Sequence, residues 1–190
     1  MMISNKGRLF IISAPSGTGK GSVIKKILEQ KPELVYSISA TTRKPRKGEK
    51  EGIDYYFVSH EVFEKMIAEN EFFEYAQYVG EYYGTPKKFI LECIENGNDV
   101  LLEVEVQGAR QVMDADPNAV SIFISPPNMQ ELARRLHGRG TDSEDARAAR
   151  LKRAEQEMEE IFVYDYIVMN ESVQKAAEDI LEIINNRCPV

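Results

Sequence analysis

The stretch "SAPSGTGKGS", residues 13–22, follows the apolar run Leu9–Ile12 and precedes a helical pattern of apolar residues. A buried strand, a glycine-rich turn and a helix in this order are the context in which phosphate-binding loops occur. Gly17 and Gly19 allow the backbone to wrap its N–H groups around phosphate oxygens, and the following helix presents its positive end. Lys20 adds a mobile positive charge. The stretch therefore predicts a nucleotide-phosphate site.

Two positions depart from the usual pattern G-x-x-x-x-G-K-[ST]. Ala14 stands at the first glycine position, and Gly21 follows Lys20, so that the hydroxyl comes one residue later at Ser22. The usual direct serine ligand of Mg²⁺ is therefore missing. Lys-Gly-Ser resembles the Lys-Gly-Thr variant of small nucleotide kinases, in which the metal is held largely through water and phosphate. We expect the Lys20 side chain to be exposed when the loop is empty.

Composition limits the class of protein. The 190 residues include 43% hydrophobic and 29% charged residues, which is ordinary for one globular domain. The net charge of −7 argues against a nucleic-acid partner, which needs many basic contacts. Two cysteines, Cys93 and Cys188, are too few for a disulfide framework or a metal site. With no signal peptide and no membrane-spanning run, we expect a cytoplasmic protein without membrane partners. The sequence does not indicate the oligomeric state.

Apolar periodicity predicts alternating strands and helices. Strands are predicted at 8–13, 34–40, 55–58, 100–106, 120–124 and 166–169, and strands with turns at 71–84. Helices are predicted at 20–30, 59–70 after a Ser59 cap, 85–97 after a Thr85-Pro86 start, 125–138, 141–160 and 173–185. This alternation indicates an α/β fold with a parallel sheet covered by helices on both faces.

A basic segment, "SISATTRKPRKGEKEGIDYYF" at residues 37–57, offers a second anion site. Arg43 and Arg46 flank a proline-stiffened turn, and two guanidinium groups at this spacing suit a phosphate group. A solvated charge run is the ordinary alternative. The small polar residues before Arg43 and the aromatic residues after the turn favour a binding site.

The motifs together resemble a known family. The basic segment, "EFFEYAQYVGEYYGTP", "LLEVEVQGA", "RLHGRGTDSEDARAARL" and "VMN" occur in the order seen in guanylate kinases, from about residue 8 to residue 170 or beyond. The chain is similar to a single-domain bacterial-type guanylate kinase, which transfers the γ-phosphoryl group of ATP to GMP with Mg²⁺. The resemblance implies a P-loop kinase core at about 1–36, 86–125 and 160–190, a GMP-binding subdomain at about 37–85 and a mobile lid at about 126–159.

The resemblance also implies roles for single residues. The expected ATP-binding residues are Ala14, Pro15, Ser16, Gly17, Thr18, Gly19, Lys20, Gly21, Ser22, Arg135 and Asn170. The expected GMP-binding residues are Arg43, Arg46, Tyr55 and Tyr83 for the phosphate, and Ser39, Glu74, Thr85 and Glu105 for the guanine. Mg²⁺ is expected near Glu103, through water, and Ser22. Lys20, Arg43, Arg139 and Arg150 are the expected catalytic residues, with the last two in the lid.

Elementary chemistry supports a guanine reader at Glu74. The N1–H and 2-amino groups of guanine are both donors, and a carboxylate only accepts. Adenine presents a lone pair at N1 and has no 2-amino group, so the same carboxylate disfavours it. Glu103 and Glu105 alternate in the predicted strand, so they are expected on one side of it, one for the metal and one for the base.

Two other functions remain open from the sequence. A kinase of a phosphorylated sugar could share the core, but Glu74 with Ser39 and Thr85 argues against it. A non-catalytic guanylate-kinase-like binding module is a different class of protein. Such modules usually lie in longer chains and have degraded phosphate loops, whereas Lys20, Arg139 and Arg150 are present here.

Overall fold

The structure is a computed structural model that describes residues 6–137 and 144–186. Its strands are β1 (Leu9–Ser13), β2 (Val35–Tyr36), β3 (Ala40–Thr41), β4 (Tyr56–Phe57), β5 (Phe72–Tyr78), β6 (Glu81–Pro86), β7 (Val100–Glu103), β8 (Val120–Ser125) and β9 (Tyr166–Met169). Its helices are α1 (Lys20–Gln30), α2 (His60–Ala68), α3 (Lys87–Glu95), α4 (Val106–Ala115), α5 (Met129–His137), α6 (Glu144–Glu159) and α7 (Val173–Asn185), with a 3₁₀ turn at Glu160–Val163.

The larger sheet has the strand order β2-β7-β1-β8-β9. The pairs β2–β7, β1–β8 and β8–β9 are parallel. Every residue of β1 and β8 is buried, as expected for inner strands that helices cover on both faces. The predicted α/β class with a parallel sheet and flanking helices is confirmed.

A smaller sheet has the order β4-β3-β6-β5. The β5–β6 pair is an antiparallel hairpin whose tip, Val79-Gly80, has φ angles of 51° and 83°. Two positive φ angles are the signature of a tight hairpin turn of type I′. The register of the hairpin shifts between Phe72 and Tyr75, so Glu74 lies in an irregular part of β5. Irregularities of this kind re-aim side chains near functional sites.

The described residues divide into two compact units. The first comprises Leu34–Leu102, Gln107–Ala119 and the chain up to Leu9, and the second comprises Phe10–Glu33, Glu103–Val106 and the chain from Val120 onward. The smaller sheet belongs to the first unit. The phosphate-loop stretch, α5, α6 and α7 belong to the second unit. The subdomain and lid boundaries expected from the resemblance remain predictions.

Several elements agree with their sequence patterns. α1, β9 and α7 have the predicted bounds. Ser59 caps α2 by accepting a hydrogen bond from the Val62 amide, and Ser172 caps α7 in the same way from Lys175. The capped helices α2 and α7 combine an apolar period with a local start signal, so their starts depend little on the rest of the fold, although α2 ends at Ala68 and not at the predicted residue 70.

The predicted strand at 34–40 is wrong as one element. Ser37 N donates to Leu101 O beside β7, whereas Ser39 O accepts from Tyr56 N in the smaller sheet. The chain therefore leaves one sheet and enters the other between Tyr36 and Ala40. An alternating pattern fits either sheet, and only the tertiary pairing separates the two short strands.

Two predicted helix starts are also wrong. Thr85 and Pro86 belong to β6, and α3 starts at Lys87. Thr85 is fully buried and its hydroxyl donates to Glu74, so it does not cap the helix. α5 starts at Met129 rather than at residue 125, because Asn128 provides the cap by accepting from the Glu131 amide.

The predicted strand at 100–106 is too long, and the helix after it was not predicted. β7 ends at Glu103 and α4 starts at Val106, so Glu103 and Glu105 do not alternate along one strand. Val106, Ala109 and Val112 are buried at a spacing of three residues, which is a helical period. Gly108 weakened that signal, because glycine disfavours helices.

Candidate functional site

The phosphate-loop stretch of the second unit connects β1 to α1. Gly17 and Gly19 have φ angles of 91° and 95°, which side chains rarely adopt, and Gly19 is the N-cap of α1. A Cβ atom on Gly17 would lie 2.6 Å from Leu136 Cδ2. No side chain caps the helix, so its N-terminal end is open to an anion, although the Ser22 amide already donates to Gly19 O. The loop therefore has the backbone form that phosphate binding requires.

Lys20 is less exposed than predicted. Its side chain is only 13% exposed, and Nζ donates a 2.9 Å hydrogen bond to Val104 O. Nζ also lies 3.6 Å from Glu103 Oε1 and 3.8 Å from Glu105 Oε1. The expectation of an exposed lysine is wrong, because the end of β7 and the two residues after it offer one carbonyl and two carboxylates to the ammonium group.

Glu105, which the resemblance assigns to the guanine, forms ion pairs beside the phosphate loop in this structure. Its side chain is 63% exposed and forms ion pairs with Lys20 and with Arg153, at 3.8 Å and 3.5 Å. Arg153 of α6 also donates a 2.9 Å bond to Glu157, whose side chain is nearly buried. The other oxygen of Glu157 lies 3.4 Å from the Ser16 amide. These contacts connect α6 with the phosphate loop.

The side chains of Asn170 and Arg135 also donate hydrogen bonds to the backbone of the phosphate loop. Asn170 is 2% exposed, and its Nδ2 donates a 2.7 Å bond to Thr18 O. Arg135 of α5 donates to Thr18 O and Asn170 O at 3.2 and 3.1 Å. Its Nε donates to Glu131 at 2.8 Å. These hydrogen bonds of Arg135 go to protein atoms, so this structure gives Arg135 a role in fixing the loop.

Three buried oxygens mark the same region. Ser13 Oγ, Thr18 Oγ1 and Asn170 Oδ1 have no hydrogen-bond partner among the described residues. Buried polar atoms are normally satisfied, so these three are candidate partners for a bound ligand or water. They fit a bound polar molecule beside the loop.

The basic turn of the first unit is built around an ion pair that the sequence did not reveal. Arg43 donates to both carboxylate oxygens of Glu49, at 2.9 and 3.0 Å, and also to Lys44 O. The Arg46 amide donates to the same carboxylate at 2.7 Å. The hydrogen bond from Arg43, followed by the one from the Arg46 amide, lowers the pKa of Glu49. Glu49 therefore stays ionised and orients Arg43.

Aromatic rings surround this guanidinium group. The Cζ of Arg43 lies 5.4 Å from the Tyr55 ring centroid and 5.9 Å from that of Phe57. Tyr55 and Tyr83 meet edge to face at 6.2 Å. The hydrogen bonds that Arg43 donates to Glu49, and a further bond involving Tyr83, raise the pKa of Arg43. The structure thus brings together Arg43, Tyr55 and Tyr83, three of the four predicted phosphate ligands.

Arg46, the fourth predicted phosphate ligand, is exposed on the same turn. Ser39 is half-buried, immediately before β3. Its carbonyl pairs with Tyr56 in the smaller sheet. This pairing in the smaller sheet therefore fixes the position of the Ser39 backbone.

Glu74 and Thr85 face each other across the β5–β6 hairpin. Thr85 Oγ1 donates a 2.6 Å hydrogen bond to Glu74 Oε1. The other oxygen, Oε2, lies against Gly108 of α4. A carboxylate has about four acceptor positions, so the Thr85 bond does not exhaust it. The pair forms an oriented acceptor group.

The predicted lid is described only in part. Arg139 lies outside the described residues, as do Cys188 and Thr141, where the predicted helix 141–160 begins. Arg150 is half-buried in α6.

The part of the chain that the structure describes offers few candidate ligands for a metal ion. Within 6–137 and 144–186, no group of three or more histidine, cysteine, aspartate or glutamate residues could hold a metal ion. Glu103 and Glu105 are a pair of carboxylates near Lys20, and Ser22 is exposed in the first turn of α1.

Among the described helices, none combines the length and apolar character that a membrane span needs.

Sequence reasoning missed Glu49, Arg153 and Glu157. A signal for Glu49 was available, because the acidic residue lies three positions after Arg46 in a turn-forming segment. Arg153 and Glu157 have the spacing of a helical ion pair, but nothing in their spacing indicates contact with Ser16. That contact depends on tertiary packing.

Comparisons with known proteins agree along the chain. The guanylate kinase family model matches residues 6–187. A guanylate kinase of Oceanobacillus iheyensis is 49% identical over 185 residues, covering 97% of this chain and 90% of the relative. A guanylate kinase of Clostridioides difficile is 47% identical with the same coverage. The crystal structure of guanylate kinase from Anaplasma phagocytophilum is similar with a TM-score of 0.76 and 37% identity, covering 97% of this chain and 87% of that one.

Proposed function

The chain belongs to the guanylate kinase family, an ATP:GMP phosphotransferase family, and we propose that it transfers the γ-phosphoryl group of ATP to GMP through the residues described above. The products are ADP and GDP. The reaction belongs to guanine nucleotide synthesis and GMP recycling.

We assign the ATP phosphates to the loop at residues 13–22. Its glycine conformations, the uncapped start of α1 and Lys20 support this assignment. A phosphate group would compete with Val104 O and the two carboxylates for the Lys20 ammonium. Asn170, with a buried oxygen that lacks a partner among the described residues, supports a nucleotide contact beside the loop.

We assign GMP to the residues of the first unit. Arg43, Arg46, Tyr55 and Tyr83 would hold its phosphate, and Ser39, Glu74 and Thr85 its guanine. The observation that carries this assignment is the Glu74 carboxylate, which a buried threonine orients at 2.6 Å. An acceptor held in one place suits the two adjacent donors of guanine. We do not extend the guanine role to Glu105, whose contacts with Lys20 and Arg153 favour the phosphate-loop region.

We propose Mg²⁺ as the companion of ATP. Mg²⁺ binds oxygen ligands, keeps several waters and usually takes one or two carboxylates with substrate phosphates. Glu103 and Glu105, with Ser22, fit that donor set, and a cage of three acidic residues is not required. When bound, Mg²⁺ neutralises phosphate charge during transfer.

The transfer needs no protein nucleophile. A phosphate oxygen of GMP forms the new bond to the γ-phosphorus, and the bond to the β–γ bridging oxygen breaks as ADP leaves. The protein positions the two groups and neutralises charge. Lys20 would stabilise the transferred group with Arg139 and Arg150, while Arg43 orients the acceptor.

ATP and GMP are therefore the proposed small-molecule partners, without nucleic acid or membrane. We also propose a cytoplasmic location. Cys93 is a free thiol, in keeping with a reducing compartment.

A coupled assay of ADP release tests this proposal. The protein is incubated with ATP, Mg²⁺ and one of GMP, AMP, CMP or UMP. We expect turnover with GMP far above the other three. Separate titrations with ATP and GMP distinguish the alternative of a non-catalytic module, which should fail to bind ATP. Turnover of a phosphorylated sugar without turnover of GMP would contradict the proposal.

A further inference from the structure

Gly108 lies in the first half of α4 with no room for a side chain. A Cβ atom on Gly108 would lie 2.8 Å from Glu74 Oε2 and 3.2 Å from Glu74 Cδ. Its φ angle lies outside the region that favours glycine, so the backbone does not require glycine here. Alanine is more favourable than glycine inside a helix. Stability alone would therefore favour alanine, and the contact with Glu74 supplies another reason for glycine.

We propose that Gly108 is a positioning residue for guanine recognition, because its missing side chain is what allows the Glu74 carboxylate to lie where it does. The proposal rests on the proposed function of Glu74. The carboxylate is confined between the Thr85 hydroxyl on one oxygen and the Gly108 backbone beside the other. A methyl group at position 108 would push Oε2 away and turn the acceptor group relative to the bond from Thr85.

α4 cannot easily move away to accept that methyl group. Ala109 and Val112 are fully buried on the same helix. Gln111 faces the backbone of Tyr75, with Gln111 Oε1 3.4 Å from Tyr75 N and Gln111 Nε2 3.5 Å from Tyr75 O. α4 is thus anchored to β5 one residue after Glu74. The end of the flexible glutamate side chain is the part that can shift.

The displacement of the Glu74 carboxylate should weaken the recognition of guanine and should leave folding intact. The atoms in the way belong to a flexible side chain, whereas a clash with backbone would disturb the helix. Gly108→Ala should therefore keep or raise Tm, since alanine favours the helix. It should weaken GMP binding, because displaced acceptors lose charge-assisted hydrogen bonds to guanine. Loss of one such bond corresponds to a KM increase for GMP of about tenfold or more.

The experiment measures KM for GMP and for ATP, with Tm, in wild type, Gly108→Ala and Asp114→Ala. Asp114 is an exposed residue of α4, so its variant controls for a general change in helix propensity. We expect a raised KM for GMP in Gly108→Ala alone, with KM for ATP unchanged within about twofold. If wild type and Asp114→Ala show no GMP turnover, the proposed function fails. If they turn over GMP and Gly108→Ala matches them, only the role of Gly108 fails.

A double-mutant cycle tests whether the effect passes through Glu74. In a Glu74→Ala background, the atoms that the new methyl group would meet are gone. Gly108→Ala should then change KM for GMP by less than about twofold. An undiminished increase in that background would overturn the proposal. A lowered Tm with equal rises in both KM values would also overturn it, since that is general structural damage.

Discussion

The Nζ of Lys20 donates a 2.9 Å hydrogen bond to the backbone carbonyl of Val104, just after β7. The same ammonium group lies within 4 Å of Glu103 and Glu105. The cation of the phosphate loop is therefore held by its own chain in this structure. A nucleotide phosphate must compete with Val104 O and the two carboxylates for this ammonium group, which couples the loop to the end of β7 and the two residues after it.

Lys20→Met should abolish phosphoryl transfer and leave the protein folded. The change removes the charge that neutralises the transferred group, and with it the hydrogen bond to Val104. Because Glu105 stays largely solvated, the loss of the ion pairs should lower stability only modestly. Initial rates and thermal unfolding check this, with the exposed helix residue Lys25→Met as control. Near-normal turnover by a folded variant would remove the phosphate-loop assignment.

Glu74→Gln should reduce the preference for GMP over AMP. The amide replaces one acceptor with a donor that faces the donors of guanine. A buried site built for hydrogen bonds can reject a ligand that lacks them by about 10⁴, so the wild-type ratio of kcat/KM should be large. The ratio is measured with both nucleotides, and Glu71→Gln is an exposed control. If Glu74→Gln kept the full ratio, another residue would be the guanine reader.

Arg150→Ala should lower kcat more than it raises KM for ATP. We expect Arg139 and Arg150 to act on the phosphoryl group only when both nucleotides are bound, so their contribution belongs to the transition state. Arginines with this role can contribute about 10³ or more in rate. Steady-state kinetics decide the matter, with exposed Lys152→Ala in the same helix for comparison. An effect confined to KM for ATP would make these arginines ground-state clamps.

Glu131→Gln should have a pH-dependent effect on stability. Hydrogen bonds from Arg134 and then Arg135 lower the pKa of Glu131 from 4.5 to about 2. A lowered folded-state pKa means that the stabilising pairs are fully present above pH 4.5 and are lost as the pH falls toward 2. The stability difference between wild type and Glu131→Gln should therefore be constant above about pH 5 and shrink below pH 4.5. Urea unfolding across that range measures it. A difference that grew on acidification would contradict the assignment.

Local patterns predicted the elements that local interactions stabilise. The phosphate-loop stretch and α1 follow from glycines, Lys20 and an apolar helical period. Ser59 marks the start of α2 because a cap acts within three residues. The family resemblance, and the residues it assigns, also depend on residue order and spacing.

Other features depended on contacts between distant residues. The division of the stretch 34–40 into β2 and β3, and the end of β7 at Glu103, follow from strand pairings that periodicity cannot distinguish. Thr85 looked like a helix cap, yet burial directs its hydroxyl to Glu74.

The sequence by itself determined the fold class, the phosphate loop and the acidic and basic residue types of the candidate site. The reason is that backbone conformation and charge chemistry are carried by neighbouring residues. Only the tertiary structure decided that Val104, Glu103 and Glu105 hold Lys20, that Glu157 approaches Ser16, and that Gly108 makes space for Glu74. These contacts join residues 34 to 141 positions apart, and packing of whole elements sets such distances.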